Sequence, residues 1–113
     1  MSSAADERKE RIARNETIFR EVNERIEEVS ANAPGEHVEF LCECGNRDCA
    51  EVVALARGEY EGLRADPVLF AVLPGHEIPE VEFVVAENER FLTVRKLTEE
   101  QEIARDTDPR AQA

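Results

Sequence analysis

The stretch FLCECGNRDC, residues Phe40 to Cys49, holds all three cysteines of the chain in the spacing C-x-C-x4-C. The residues from His37 to Cys44 alternate between the two faces of a predicted strand, and Cys42 and Cys44 lie at its end. The residues Gly45 to Asp48 favour a turn. Such a turn brings three thiolates together, and its glycine relieves crowding. Three thiolates are one ligand short of the tetrahedral site that zinc prefers.

The fourth ligand has few candidates, namely the two histidines, Asp48 or a water molecule. His37 lies five residues before Cys42, and this odd spacing on a strand places it on the opposite face. His76 lies in the turn LPGHE after an apolar strand, where an imidazole is presented with little crowding. The predicted ligands of a structural Zn²⁺ are therefore Cys42, Cys44, Cys49 and His76. Three thiolates and one imidazole form a closed structural set.

Two other uses of the cysteines stay open. Zinc held by three thiolates and a water would keep a position for catalysis, and a thiol switch would release zinc on oxidation. Iron–sulfur proteins use other cysteine spacings. The segment His76-Glu77 begins like a zinc-protease motif, but no second histidine follows and Pro79 disfavours a helix. We therefore expect no enzymatic activity and name no catalytic residue.

The remaining segments predict an α+β fold, with a long N-terminal amphipathic helix followed by a small, mostly antiparallel sheet, a short helix and the zinc knuckle. A hairpin is expected from Val81–Ala86 and Arg90–Lys96, with Val81, Phe83 and Val85 on one face. The predicted organisation is a flexible N-terminus at 1–5, one zinc-stabilised domain at 6–97 whose first helix covers 6–31, and a short helix with a flexible acidic tail at 98–113.

The predicted N-terminal helix carries an apolar stripe at three- and four-residue steps. Its members are Ile12, Phe19, Val22, Ile26 and Val29. Asn15 completes a heptad register and resembles a polar residue that sets the register of a coiled coil. The stripe either packs on its own domain or contacts a protein partner or a second copy of the chain, and the pattern does not separate these alternatives.

The charge balance and the start of the chain bound the possible partners. A net charge of −12 argues against nucleic acid, which needs Lys and Arg to displace counterions; only a basic face around Arg8, Lys9, Arg11 and Arg14 would reverse this expectation. The first 30 residues contain no apolar run, so neither a secretory signal nor a membrane span is expected. We predict a cytoplasmic protein, where thiols stay reduced.

Two resemblances accompany these predictions. The segment CECGNRDC resembles the C-x-C-G-x3-C zinc knuckle that follows the catalytic domain of SET-type lysine methyltransferases, which implies a metal site and no methyltransferase activity. The whole chain resembles a group of short, functionally uncharacterised proteins from high-GC bacteria. The matching features are RNETIFREVNERIEE, FLCECGNRDC, EYEGLRADP, PGHE and DPR. This resemblance implies that the three cysteines and His76 belong to one pattern, and it implies no activity.

Overall fold

The computed structural model describes residues 3–32 and 34–112 of the chain. Within these ranges the elements are α1 (Ala4–Val29), β1 (Val38–Leu41), β2 (Val52–Leu55), α2 (Arg57–Arg64), β3 (Leu69–Val72), β4 (Glu82–Glu87), β5 (Leu92–Lys96), α3 (Thr98–Asp106) and a 3-10 turn (Pro109–Gln112). The predicted α+β fold with a long N-terminal helix is confirmed. No helix among the described residues combines the length and the apolar character needed to cross a membrane.

The strands form two antiparallel sheets rather than one. β1 pairs with β2, and the second sheet has the order β3-β5-β4. The sheets meet just after β1, where the Glu43 amide donates to the Ala71 carbonyl at 2.8 Å and the Ala71 amide donates to the Glu43 carboxylate at 3.0 Å. Because Glu43 lies between two of the cysteines, this junction carries the segment Cys42–Cys49, which we call the knuckle.

Helix α1 packs on the domain through a largely polar face. Its buried residues are Ile12, Ala13, Glu16, Thr17, Arg20 and Asn23. Only Ile12 of the predicted apolar stripe is fully buried, whereas Val22 is 39% exposed and Val29 is 85% exposed. The helix begins two residues before the predicted start, because the Ser3 side chain accepts a hydrogen bond from the Asp6 amide and caps it.

Buried charges replace apolar contacts along this face of α1. The Arg20 guanidinium donates to the carbonyls of Pro67 and Ala104 at 2.8 and 2.9 Å. The Lys96 ammonium on β5 is fully enclosed and pairs with the carboxylates of Glu16 and Glu82. Helix α1 is therefore joined to the second sheet and to α3 by charged groups that find their partners inside the protein.

The hairpin of β4 and β5 is present, but β4 is exposed along most of its length. Val81 just before the strand is buried, whereas Phe83 and Val85 are 48% and 47% exposed, and Glu82 lies buried opposite Lys96. The buried ammonium needs a carboxylate partner, which accounts for the burial of Glu82. β4 is also the outer strand of its sheet, and none of the described residues pairs with its free edge.

The segment after residue 97 is tied to the rest of the domain. Ala104 belongs to the hydrophobic core, and Arg110 forms ion pairs with Glu24 and Glu61 at 3.1 and 2.7 Å. The short helix predicted in this segment is α3, and these contacts hold it and the residues that follow it on the domain. Of the predicted flexible N-terminus, residues 1 and 2 lie outside the described residues, as does residue 113 at the other end, while Ser3 and the residues after it form the cap and first turn of α1.

Gly45 marks the closest approach of the knuckle to α1. A Cβ at this position would overlap the Ile12 Cγ2 methyl and lie 3.0 Å from the Ile12 Cβ. We expect Gly45→Ala to lower the free energy of unfolding by about 1–3 kcal/mol, because a packed site does not accept the extra methyl. Urea denaturation measures this.

The matched control for this substitution is Gly62→Ala. Gly62 lies in α2, and the space that an added methyl group would occupy there is open. Alanine favours a helix over glycine by about 1 kcal/mol, so the control variant should be as stable as the parent or more so. Equal losses in the two variants would show that Gly45 is not a packing constraint.

Candidate metal centre

The side chains predicted as metal ligands converge on one point. Their ligand atoms all lie within 4.8 Å of one another, in the set Cys42, Cys44, Cys49 and His76. His76 Nδ1 lies 3.5 Å from Cys42 Sγ and 3.6 Å from Cys49 Sγ. A tetrahedral ion with Zn–S near 2.3 Å and Zn–N near 2.0 Å places sulfur and nitrogen about 3.5 Å apart. All three cysteines are free, so the cluster is close enough to hold one metal ion.

The turn of the knuckle places the third thiol beside the first two. The Cys42 amide continues the β1–β2 ladder by donating to the Glu51 carbonyl at 2.9 Å. The chain then folds back, because the Cys49 amide donates to the Asn46 carbonyl at 3.0 Å and the Asp48 amide donates to the Asn46 side chain at 3.0 Å. Asn46 therefore closes the turn twice, and Asp48 stays exposed outside the ligand set.

His76 reaches the cluster from the end of β3. Its amide donates to the Leu73 carbonyl at 2.9 Å, and Gly75 between them has a φ of 90°, a conformation that favours glycine. The Leu73 amide donates to Cys42 Sγ at 3.3 Å, which ties this turn to the knuckle. His37, by contrast, is exposed and lies outside the cluster. Of the two histidines, His76 is the one that lies in the cluster, while His37 precedes β1.

The electrostatics of the sulfurs favour a cation. The pKa of the Cys44 thiol is lowered to about 5, chiefly by a hydrogen bond from the Cys42 thiol, with smaller contributions from His76 and the Asn46 amide that outweigh the effect of burial. The same hydrogen bond, together with burial, raises the pKa of Cys42. The first negative charge of the cluster therefore forms on Cys44. A thiophilic divalent cation binds the thiolate form of cysteine and displaces the remaining thiol protons.

Glu43 is a positioning residue that the sequence analysis missed. Its carboxylate is fully buried, and it accepts from both terminal nitrogens of Arg64 at 2.9 and 2.8 Å and from the Asn23 side chain at 2.7 Å. These partners lie on α1 and α2, so Glu43 anchors the knuckle through contacts that do not involve the sulfurs. The sequence C-E-C could have indicated this role, because an acid between two metal ligands is buried with them and then needs a partner of its own.

Asn15 joins α1 to the front of the knuckle. Its side-chain amide donates to the Gly45 carbonyl at 3.0 Å. The sequence pattern places Asn15 in a heptad seam, where a polar residue sets the register between helices. In the structure this residue instead fixes the position of α1 along the metal-binding turn of its own chain.

Comparison with protein-family models, with curated proteins and with solved structures finds no match for this chain. The resemblances to the SET-associated knuckle and to the short bacterial proteins therefore stay predictions. What is known of the candidate centre comes from its own geometry.

Replacing His76 is expected to weaken zinc binding, because the variant His76→Ala leaves three ligands for a tetrahedral ion. We expect a loss of more than about 100-fold in affinity, since even an outer-shell partner is commonly worth 10- to 100-fold. Competition with a chromophoric chelator measures this. His37→Ala is the matched control and should bind zinc as the parent does. If His37→Ala weakens binding and His76→Ala does not, the fourth ligand is misassigned.

Proposed function

We propose that this protein is a small zinc-binding domain that acts, without catalysis, as an adaptor or regulatory module. The observation that supports the metal assignment is the match between the Nδ1–Sγ distances of 3.5 and 3.6 Å and the edge of a zinc tetrahedron. Thiolate-rich sets with imidazole are typical of Zn²⁺. Four protein ligands leave no open coordination position, so the ion is structural. Free thiols fit the expected cytoplasmic setting.

The adaptor role is supported by the outer side of α1. Ile18, Val22 and Val29 are 57%, 39% and 85% exposed, and their spacing places them on one helical stripe opposite the buried polar face. Phe19 borders this stripe and is half-buried. We call these four residues the outer face of α1. An exposed apolar stripe on a strongly charged helix is typical of a protein-contact surface, for a partner or for a second copy of the chain.

A second candidate function is supported by one observation. A groove with a volume of about 580 Å³ opens beside Cys44 and His76, and enzymes place polar clefts next to a catalytic metal. In this alternative the three thiolates hold the ion, His76 leaves it, and a water takes the fourth position. The closed arrangement is favoured because His76 Nδ1 already lies at bonding geometry relative to two sulfurs.

Two measurements test the metal part of the proposal. Native mass spectrometry of the reduced protein, prepared with sufficient zinc, should show one zinc per chain; a metal-free chain with three free thiols would contradict it. X-ray absorption at the zinc edge should then show three sulfur neighbours and one nitrogen or oxygen neighbour, together with the outer-shell scattering of an imidazole ring. Three sulfurs and one light neighbour without the imidazole scattering would instead support the open, catalytic site.

The adaptor part is tested on the outer face of α1. The double variant Ile18→Glu with Val22→Glu should stay folded and zinc-bound, because both positions are exposed, while it changes the mass by light scattering or loses a co-purifying partner. The companion variant Phe19→Glu separates contact from core, since unfolding there would make Phe19 a core residue. Glu21→Gln, an exposed neighbour that adds no charge to the apolar stripe, is the control and should change neither property.

A further inference from the structure

The groove beside the metal centre is lined by positive charge, although the chain has a net charge of −12. Three arginines reach it, Arg8 and Arg11 from the start of α1 and Arg47 from the knuckle. Arg8 and Arg11 are one turn apart on α1 and therefore share a face. Arg47 enters from the other wall, on the turn that Asn46 closes. The groove thus gathers cations from two separate parts of the fold.

These arginines are not neutralised by the protein. Arg11 and Arg47 are exposed, and neither forms an ion pair with any other described residue. Arg8 approaches Glu80 at 3.4 Å with both side chains about half exposed, a contact that contributes little. By contrast, the nearby Arg14 pairs with Glu10 at 2.7 Å. Two arginines without an ion pair among the described residues, Arg11 and Arg47, therefore line the same groove.

The size of the groove and its remaining polar groups indicate which class of ligand fits it. Guanidinium groups match phosphate oxygens in a paired, fork-like geometry. A volume of about 580 Å³ is that of a small-molecule site. Glu77 also lines the groove. A carboxylate repels a second anion and accepts from a hydroxyl, so a ligand with one phosphate and a hydroxyl group complements both the arginines and Glu77.

We propose that the groove binds a small phosphate ester that also carries hydroxyl groups, with the phosphate on Arg11 and Arg47 and a hydroxyl toward Glu77. This site lies beyond the structural metal and requires no exchange of a metal ligand. The rival explanation is that the arginines only offset the negative charge that three thiolates leave on a bound Zn²⁺. The two explanations differ in whether an added phosphate binds to a protein whose metal site is full.

The test titrates zinc-loaded, ¹⁵N-labelled protein at low ionic strength with three probes: inorganic phosphate, glycerol 3-phosphate and succinate. We expect saturable shifts of the Gly45, Asn46 and Gly75 amides with both phosphates, tighter binding of glycerol 3-phosphate, and weaker binding of succinate. Arg11→Ala and Arg47→Ala should each lower the binding affinity for both phosphates on the order of tenfold. Glu77→Ala should remove only the difference in affinity between glycerol 3-phosphate and inorganic phosphate.

The control is Arg25→Ala, an exposed arginine on the same helix and outside the groove. It should leave the affinity unchanged. Equal weakening by Arg25→Ala, or equal binding of succinate, would reduce the effect to general charge attraction and overturn the proposal. Arginine variants that lose zinc while phosphate fails to bind the parent would support the rival explanation. All three arginines are exposed at their charged ends, so these variants should fold.

Discussion

Removing the metal from the zinc-loaded protein is expected to unfold the knuckle and to destabilise the whole domain. Structural zinc in small peptides contributes about 10–16 kcal/mol of binding free energy, whereas an ordinary domain is stable by only about 5–15 kcal/mol. Cys42 and Cys44 belong to the same hydrophobic core as Phe40 and Phe70. Losing the ion therefore removes the bonds that join the knuckle to His76 at the junction of the two sheets, and the damage spreads beyond the turn.

Circular dichroism during heating, with and without a strong chelator, measures this effect. We expect the midpoint to fall on the order of 20 °C or more, since about 1 kcal/mol corresponds to 4–8 °C in a domain of this size. Re-adding zinc to the reduced protein should restore the midpoint, which separates metal loss from thiol oxidation. A chelator that removes the ion and leaves the midpoint unchanged would show that the metal is not structural.

Glu43→Ala is expected to have the second largest effect. The substitution leaves the Arg64 guanidinium buried, at 4% exposure, without its carboxylate. Breaking a buried pair from one side commonly costs about 3–5 kcal/mol. The Asn23 side chain and the Ala71 amide lose an acceptor at the same time. Urea denaturation at saturating zinc measures the loss, and zinc affinity should fall with it because the carboxylate orients both flanking cysteines.

Two comparisons give this prediction its specificity. Glu10→Ala removes a surface pair with Arg14 in which both side chains are more than half exposed, and it should cost less than about 1 kcal/mol. Leucine at both Glu43 and Arg64 removes the two buried charges together and should recover part of the stability, though not the orientation of the knuckle. If Glu43→Ala costs no more than Glu10→Ala, the buried pair does not hold the centre.

The ligand set was predictable from the sequence because its rules are local. Spacing C-x-C-x4-C around a glycine forces three thiols into one turn, and strand periodicity separates His37 from Cys42 without any knowledge of the fold. His76 was the remaining histidine, and its position in a Pro-Gly turn allowed it to approach. The number of sheets was not predictable in this way, because the pairing of Glu43 with Ala71 joins segments 28 residues apart.

The polar interior could not be read from the sequence, because burial of a charge depends on where its partner lies in space. A strand that carries Glu82 among valines fits a solvated acidic face, and only Lys96 across the ladder turns it inward. The inward face of helix α1 could not be predicted for the same reason. The apolar stripe left open whether it faces the core, and in the structure Ile12 is buried and Ile26 packs against the core. The rest of the inward face is polar, because Arg20 and Asn23 have hydrogen-bond partners inside the protein.

The exposed outer strand β4 also sets the conditions under which the protein stays in solution. Phe83, Val84 and Val85 are 40–48% exposed on a strand whose outer edge pairs with no other described residue, and strands of neighbouring molecules can add to such an edge. Charge repulsion between acidic molecules keeps such edges apart at neutral pH. Near the isoelectric point of about 4.6 that repulsion vanishes, and precipitation by edge-to-edge strand pairing is expected there. The variant Val84→Lys should stay in solution near pH 4.6, where the parent is expected to precipitate, and turbidity measures the difference.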